Sequence, residues 1–146
     1  MFKDILLPTD GSKGVEEAIN CAVALAKKFD AKIHVLYVVE PPRFQEYGAG
    51  IALASIVKTL QEAGEQIVSD TVELIRKSGV LAIEEAIEEG HPAEEILQYT
   101  REHGIDLIVM GTHGRRGLNR VLLGSVAEEV VRSADVPVMT VRMSED

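Results

Sequence analysis

Segments that read as β-strands alternate along this chain with segments that read as α-helices, and two of the strands are apolar almost throughout. Residues 4–10 (DILLPTD) form a short apolar run ended by Pro8 and a turn-forming TDGS. From Val15 onward, apolar residues at 15, 18, 19, 22, 26 and 29 mark one face of a helix. Residues 32–40 (KIHVLYVVE) are β-branched and aromatic, as a second strand requires. After Pro41-Pro42, the pattern predicts a long helix from about Ala52 to Lys77, stopped by Gly79. Residues 82–90 (AIEEAIEEG) fit a strand or a helical turn by pattern; their place between two helices favours a strand. Pro92 opens the next helix, PAEEILQYTREHG, with acids in its first turn. DLIVMG is the fourth strand, 125–134 a short helix with Ala127, Val130, Val131 and Ala134 on one face, and 136–142 the fifth strand.

Such alternation specifies an α/β fold: an open five-stranded parallel sheet with helices on both faces. ILL and LIVM suit central strands buried on both sides, whereas the glutamates of strand three suit a solvated edge. Pro137 suits an edge as well. The order 3-2-1-4-5, with right-handed crossovers, satisfies all of this. In that order the winding reverses between strands 1 and 4, and open α/β sheets bind ligands at the carboxyl ends of the strands flanking such a reversal.

The 146 residues are expected to form one domain, 1–146. A net charge of −9 argues against nucleic acid as a partner, because phosphate backbones are held by positive surface. No apolar run is long enough to span a bilayer, so no membrane association is expected. The start, MFKDILLPTDG, reaches an aspartate and a proline too early for a signal peptide. With a single cysteine, Cys21, these features give a cytoplasmic expectation.

One stretch breaks the acidic pattern. Residues 107–127 contain no carboxylate, and between Gly111 and Gly124 stand two further glycines, Gly114 and Gly117, with Arg115, Arg116 and Arg120. Strand-to-helix connections usually take ~2–6 residues, and this one is more than twice as long. Glycines allow backbone to approach a ligand, and the following helix directs unpaired amides and its positive dipole end into the crevice. A phosphate chain fits such a place. Each part has a plainer reading: Ser125-x-x-Glu128 is a capping box, and arginines often form a solvated face. Length, glycine spacing and the cleared acids together favour phosphate. Neither G-x-x-x-x-G-K-[ST] nor a G-x-G-x-x-G after the first strand is present, so neither a P-loop nor a dinucleotide fingerprint applies.

The glycines stand as Gly111-x2-Gly114-x9-Gly124-Ser125. That spacing resembles the ATP-binding signature G-x2-G-x9-G-[ST] of the universal stress protein family. The resemblance extends to DILLPTDGS, HVLYVVE, EEGHPAEEIL, DLIVMGTHGRRGL and GSVAEEVVRSADVPVMTVR, essentially the whole chain. It implies a five-stranded α/β sandwich with ATP, ADP or AMP as ligand, with Mg²⁺. By position, it places Pro8, Thr9 and Asp10 beside the ribose and adenine, and Val38 at the adenine edge. Met110, Gly111, Gly114 and Arg115, with Thr112 and His113 between them, would line the near side; Gly124, Ser125 and Val126 would meet the phosphates. It implies a nucleotide-dependent regulatory protein of the stress response, a homodimer through strand 136–142 acting on protein partners.

Asp10 is an N-cap for the first helix, an acceptor for ribose hydroxyls, an outer-shell contact to Mg²⁺, or more than one of these. His113 reads as loop structure, since no serine or cysteine nucleophile accompanies it. Cys21, Phe44 and Tyr47 read as packing, and the acids at 84–89 and 94–95 as solvated faces. No catalytic residue is assigned, and hydrolysis is expected to be weak at most. A slow ATPase or phosphotransferase and a nucleotide-independent dimeric module are the alternatives. A receiver domain shares the winding but needs an acidic cluster after strand 1 and a lysine after strand 5, which the chain lacks.

Overall fold

In the computed structural model, which describes residues 1–12, 15–42, 50–112 and 124–142, the elements run β1 (Asp4–Pro8), α1 (Val15–Phe29), β2 (Lys32–Val39), α2 (Gly50–Lys77), β3 (Ile83–Glu89), α3 (Pro92–Glu102), β4 (Leu107–Gly111), α4 (Ser125–Ser133) and β5 (Val138–Val141). They build one sheet of order β3-β2-β1-β4-β5 in which every neighbouring pair is parallel. This is the expected α/β architecture and strand order.

The two faces are covered by different helices. α1 and α2 close one, packing Val15, Ala18, Ile19, Ala22, Val68, Val72 and Ile75 against Ile5, Leu7, Ile33 and Val35. α3 and α4 close the other, setting Ala93, Ile96, Tyr99, Ala127 and Val130 on Leu6, Leu36 and Ile108. Alternate residues of β1 therefore go to opposite cores, and Ile5, Leu6 and Leu7 are all fully buried. Each contributes about 1.5–3 kcal/mol of hydrophobic stabilisation, so the centre of the sheet is its most secure part. Cys21 lies half-buried against the first core, as packing predicts.

Gly64 marks where α2 comes closest to the sheet. A Cβ there would lie 2.5 Å from Cδ1 and 2.8 Å from Cε1 of Tyr37, whose ring is buried on β2. The other core contains a polar cluster that the sequence did not announce. His34, 3% exposed, sits between Asp4 and Tyr99: Nε2 donates to Asp4 Oδ1 at 2.9 Å, and the Tyr99 hydroxyl meets Nδ1 at 2.8 Å. Burial, with the carboxylates of Glu84, Glu88 and Asp4 nearby, pushes the Tyr99 phenol up to about 12, so it keeps its proton. This cluster ties β1, β2 and α3 together at the amino end of the sheet.

Several expected boundaries shift. The long helix begins at Gly50 rather than near Ala52, and β5 spans Val138–Val141, leaving Pro137 just before it as the acceptor for the Ile108 N–H at 3.0 Å. On α4 only Ala127 and Val130 are buried; Val131 is 45% exposed and Ala134 is the C-cap. Adjacent helical positions stand about 100° apart, so a nine-residue helix resting on one sheet edge buries a narrower stripe than the sequence pattern offered.

Gly64→Ala checks the α2 contact. Helix propensity alone favours alanine by about 1 kcal/mol, whereas forcing a methyl against a buried ring costs about 1–3 kcal/mol. The expected net result in denaturant titration is a loss of about 1 kcal/mol. In a Tyr37→Leu background the same change should become neutral or stabilising.

Candidate functional site

The carboxyl ends of the strands meet at a split between β1 and β4. Even-numbered residues of β1 turn their peptide groups toward β4, as the Asp4 carbonyl shows by accepting from the Asp106 N–H at 3.0 Å. Odd-numbered ones turn toward β2, where the Thr9 N–H donates to the Leu36 carbonyl at 2.9 Å. Pro8 falls in the even set and has no N–H to give. The β1–β4 register accordingly ends at Leu6↔Ile108, although β1 stays paired with β2 through Pro8↔Leu36 and β4 with β5 through Gly111↔Val141. The sheet opens where its winding reverses.

Beyond Pro8 the chain folds its own polar side chains onto its backbone. Thr9 Oγ1 accepts from the Gly11 N–H at 3.3 Å, and Asp10 Oδ1 accepts from the Ser12 N–H at 2.9 Å. Asp10 therefore closes a local turn with the amide two residues on, and α1 is described from Val15. Its carboxylate is half-buried beside the split.

On the other side, Thr112 fixes the start of α4. Its N–H donates to the Val141 carbonyl at 3.0 Å, and its carbonyl accepts the Gly124 N–H. Gly124 is the N-cap, extended at φ −64° and ψ 156°, and has no side chain of its own with which to cap the helix. The capping box is therefore out of register by one: Ser125 is the first helical residue, so its hydroxyl is not at the cap. Helical geometry leaves the N–H groups of Ser125, Val126 and Ala127 without an intrahelical acceptor.

Each of the acids that follow has a basic partner. Glu128 pairs with Arg132 at 2.5 Å, and Glu129 with His91 Nε2 at 3.2 Å. In the sequence His91 stands only as part of the longer likeness EEGHPAEEIL. It occupies the N-cap of α3, where serine or aspartate is usual, yet makes no cap bond. Gly90, at φ +152°, turns the chain out of β3 to present it, and a Cβ at Gly90 would lie 2.6 Å from Glu95 Oε2. The hydrogen bond to Glu129 raises the His91 imidazole above its ordinary value, with burial as the chief opposing influence.

The structure thus brings Pro8, Thr9, Asp10, Met110, Gly111, Thr112, Gly124, Ser125 and Val126 to one end of the sheet. Val38 stands near the end of β2, and its side chain packs with those of Met110 and Val126 in the core under α3 and α4. Met110 is 5% exposed, so a ligand would meet its backbone and not its thioether. His113, Gly114 and Arg115 lie outside the described residues, as do Gly117, Arg116, Arg120, Phe44 and Tyr47. Among the described residues no group of three or more metal-ligating side chains occurs, and no helix is long and apolar enough to cross a membrane.

A sequence model of the universal stress protein family matches residues 1–142. A universal stress protein of Methanocaldococcus jannaschii is 39% identical over 142 residues, covering 97% of this chain and 83% of that one. Among solved structures, hypothetical protein MJ0577 superposes with a TM-score of 0.88 at 27% identity, covering 100% of this chain and 99% of that one. Two more distant likenesses, of fold alone, carry nucleotides: a universal stress protein in complex with cAMP (TM-score 0.75, 24% identity, 98% and 99% covered) and an Arabidopsis thaliana family member with AMP bound (TM-score 0.72, 21% identity, 99% and 94% covered).

Proposed function

This chain belongs to the universal stress protein family, and on that premise we propose that it binds an adenine nucleotide, ATP in the first instance, where β1 and β4 part. The observation that carries the reading is the opening at Pro8, faced by a helix start whose amides have no helical partner and whose nearest acids are both paired. An anion seated there gains from the helix dipole and from charge-assisted N–H hydrogen bonds. Thr9 and Asp10 stand on the opposite wall, where ribose hydroxyls would need acceptors. The cAMP and AMP complexes of more distant structures support the same ligand class.

Mg²⁺ would come with the phosphates. It keeps several waters and takes few protein ligands, which agrees with a single half-buried carboxylate, Asp10, at an outer-shell position. We assign the protein a regulatory role in which occupancy changes what it contacts, with slow hydrolysis. Glu128 and Glu129 are engaged by Arg132 and His91, and Asp10 by the Ser12 amide, so none of the three is poised to take a proton from an attacking water.

We also propose that it is a homodimer through β5. That strand presents Val-Met-Thr-Val at the sheet edge, with Met139 38% exposed, and an equivalent strand from a second copy would pair with it isologously.

Mass spectrometry of the small molecules released on denaturing the purified protein should detect an adenine nucleotide. Gly124→Asp separates binding from folding. Its backbone angles suit any residue, and aspartate is a better N-cap than glycine by a few tenths of a kcal/mol, so stability should hold or rise. ATP affinity should fall at least tenfold; unchanged affinity would refute the site, and no affinity in the parent protein would leave the dimeric module as the better reading. In single-turnover assays the bound ATP should turn over no faster than a few per minute, and faster release of phosphate would make the chain an enzyme. In sedimentation, Met139→Asp should convert a dimer to monomers with the circular dichroism spectrum retained.

A further inference from the structure

His91 bridges parts of the site's framework that lie far apart in the sequence. Its Nε2 lies 3.2 Å from Glu129 on α4, and its Nδ1 lies 3.9 Å from Glu40, just after β2. Its own backbone caps α3. One side chain therefore spans three elements whose ends surround the split. Both ring nitrogens face carboxylates, which only accept, and the imidazole satisfies both only as the doubly protonated cation.

Glu129 is the important partner because of where it sits. It lies four residues after Ser125, on the same stripe of α4, where Cβ atoms are about 5–6 Å apart. Helical side chains lean toward the amino end, so the Glu129 carboxylate tilts toward the turn that would meet phosphate. Unpaired, it would oppose the helix dipole at the place the dipole is used. Paired with an imidazolium, it adds no net charge and anchors α4 to α3.

We propose that His91 is a positioning residue for anion binding at the start of α4: it cancels the Glu129 charge and holds that helix against α3, so that nucleotide affinity depends on its proton. The inference rests on the nucleotide-binding reading above. The groups facing His91 are Glu129 from α4, Glu40 from the end of β2 and Glu94 from α3, all of which favour the cation. The hydrogen bond from Glu129 is the largest of these influences. The raised pKa fixes the sign. The pair is intact below the ordinary histidine range and is lost as pH rises through the elevated value, and ATP affinity falls with it. Because linkage is reciprocal, ATP binding should in turn draw a proton onto His91. The ring is 48% exposed and Glu129 38%, so added salt should blunt the effect.

The test measures ATP and adenosine binding by calorimetry from pH 6.5 to 9 in the parent protein, His91→Ala, His91→Gln, Glu129→Gln and the His91→Ala/Glu129→Gln double variant. Expected at pH 6.5 is a roughly tenfold loss of ATP affinity in His91→Ala, consistent with one carboxylate near a polyphosphate in a high-dielectric setting. Adenosine affinity should not change. The double variant should recover most of the loss, His91→Gln should recover part, and the parent's pH dependence should vanish in the His91 variants and move to lower pH in Glu129→Gln. ATP binding by His91→Ala equal to the parent's, or an equal loss for adenosine, would overturn the role of His91 while leaving the nucleotide site intact. Absence of ATP binding in the parent at every pH would remove both. Should His91→Ala fail to fold, His91→Gln decides alone: a parent-like pH profile there refutes the dependence on the His91 proton.

Discussion

A missing hydrogen, the one proline lacks, organises the carboxyl end of this sheet. β1 and β4 are the most apolar strands and pair at its centre, yet their register stops at Leu6↔Ile108 while each continues with its other neighbour. Pro8 lies in the set of residues that should bond toward β4 and has no donor. A proline in a central strand is ordinarily a defect. Here it sits at the last position of β1, on the line where the winding reverses, so the unmade bond costs little and ends the pairing of the two strands there. The buried trio Ile5, Leu6 and Leu7 just below carries the stability that such an opening spends.

The helix that closes this opening is short, and its electrostatics matter more than its packing. α4 buries only Ala127 and Val130, and it owes its placement to backbone bonds at its cap: the Gly124 N–H to Thr112, whose own N–H reaches Val141. One residue thus joins β4, β5 and the start of α4. Acids in the first turns suit the helix dipole, but left unpaired they would offset its positive end where an anion would sit. Arg132 and His91 answer them separately, one from within the helix and one from outside it. The division matters because Arg132 holds its charge at every accessible pH, whereas an imidazole does not.

Much of this was legible in the sequence, because the governing signals were local. The alternation of periods gave the strands, their continuous or acidic character gave the order, and Gly111, Gly124 and Pro8 marked the mouth of the sheet. The misread features involved one-residue registers or long-range partners. Ser125 looked like a cap because S-x-x-E was present, but the extended residue is Gly124, and a pattern of letters does not reveal which residue leaves the helix. Val131 looked buried because four apolar residues suggested a wider stripe than one sheet edge accommodates. His34 and His91 drew no attention because their partners stand far away in sequence: Asp4 and Tyr99 for the first, Glu40 and Glu129 for the second. Nothing adjacent to a histidine indicates that a carboxylate will arrive from another helix.

The two sheet edges show how composition settles what geometry leaves equal. β3 and β5 each have one unpaired side among the described residues, and each therefore offers a row of backbone donors and acceptors to a second copy. Isologous pairing at β3 would bring Glu84, Glu85, Glu88 and Glu89 of one chain against the same four of the other. Among the described residues only Glu84 has a cation in an ion pair with it, Lys32 at 3.2 Å, and like charges across a strand pair are destabilising. β5 has no ionisable residue from Val138 to Val141 and half-exposes Met139. Copies of so acidic a chain repel one another in general, so the strand free of charge is the edge at which they can approach. The acids that protect one side of the sheet thereby leave the other as the edge where the proposed dimer would form.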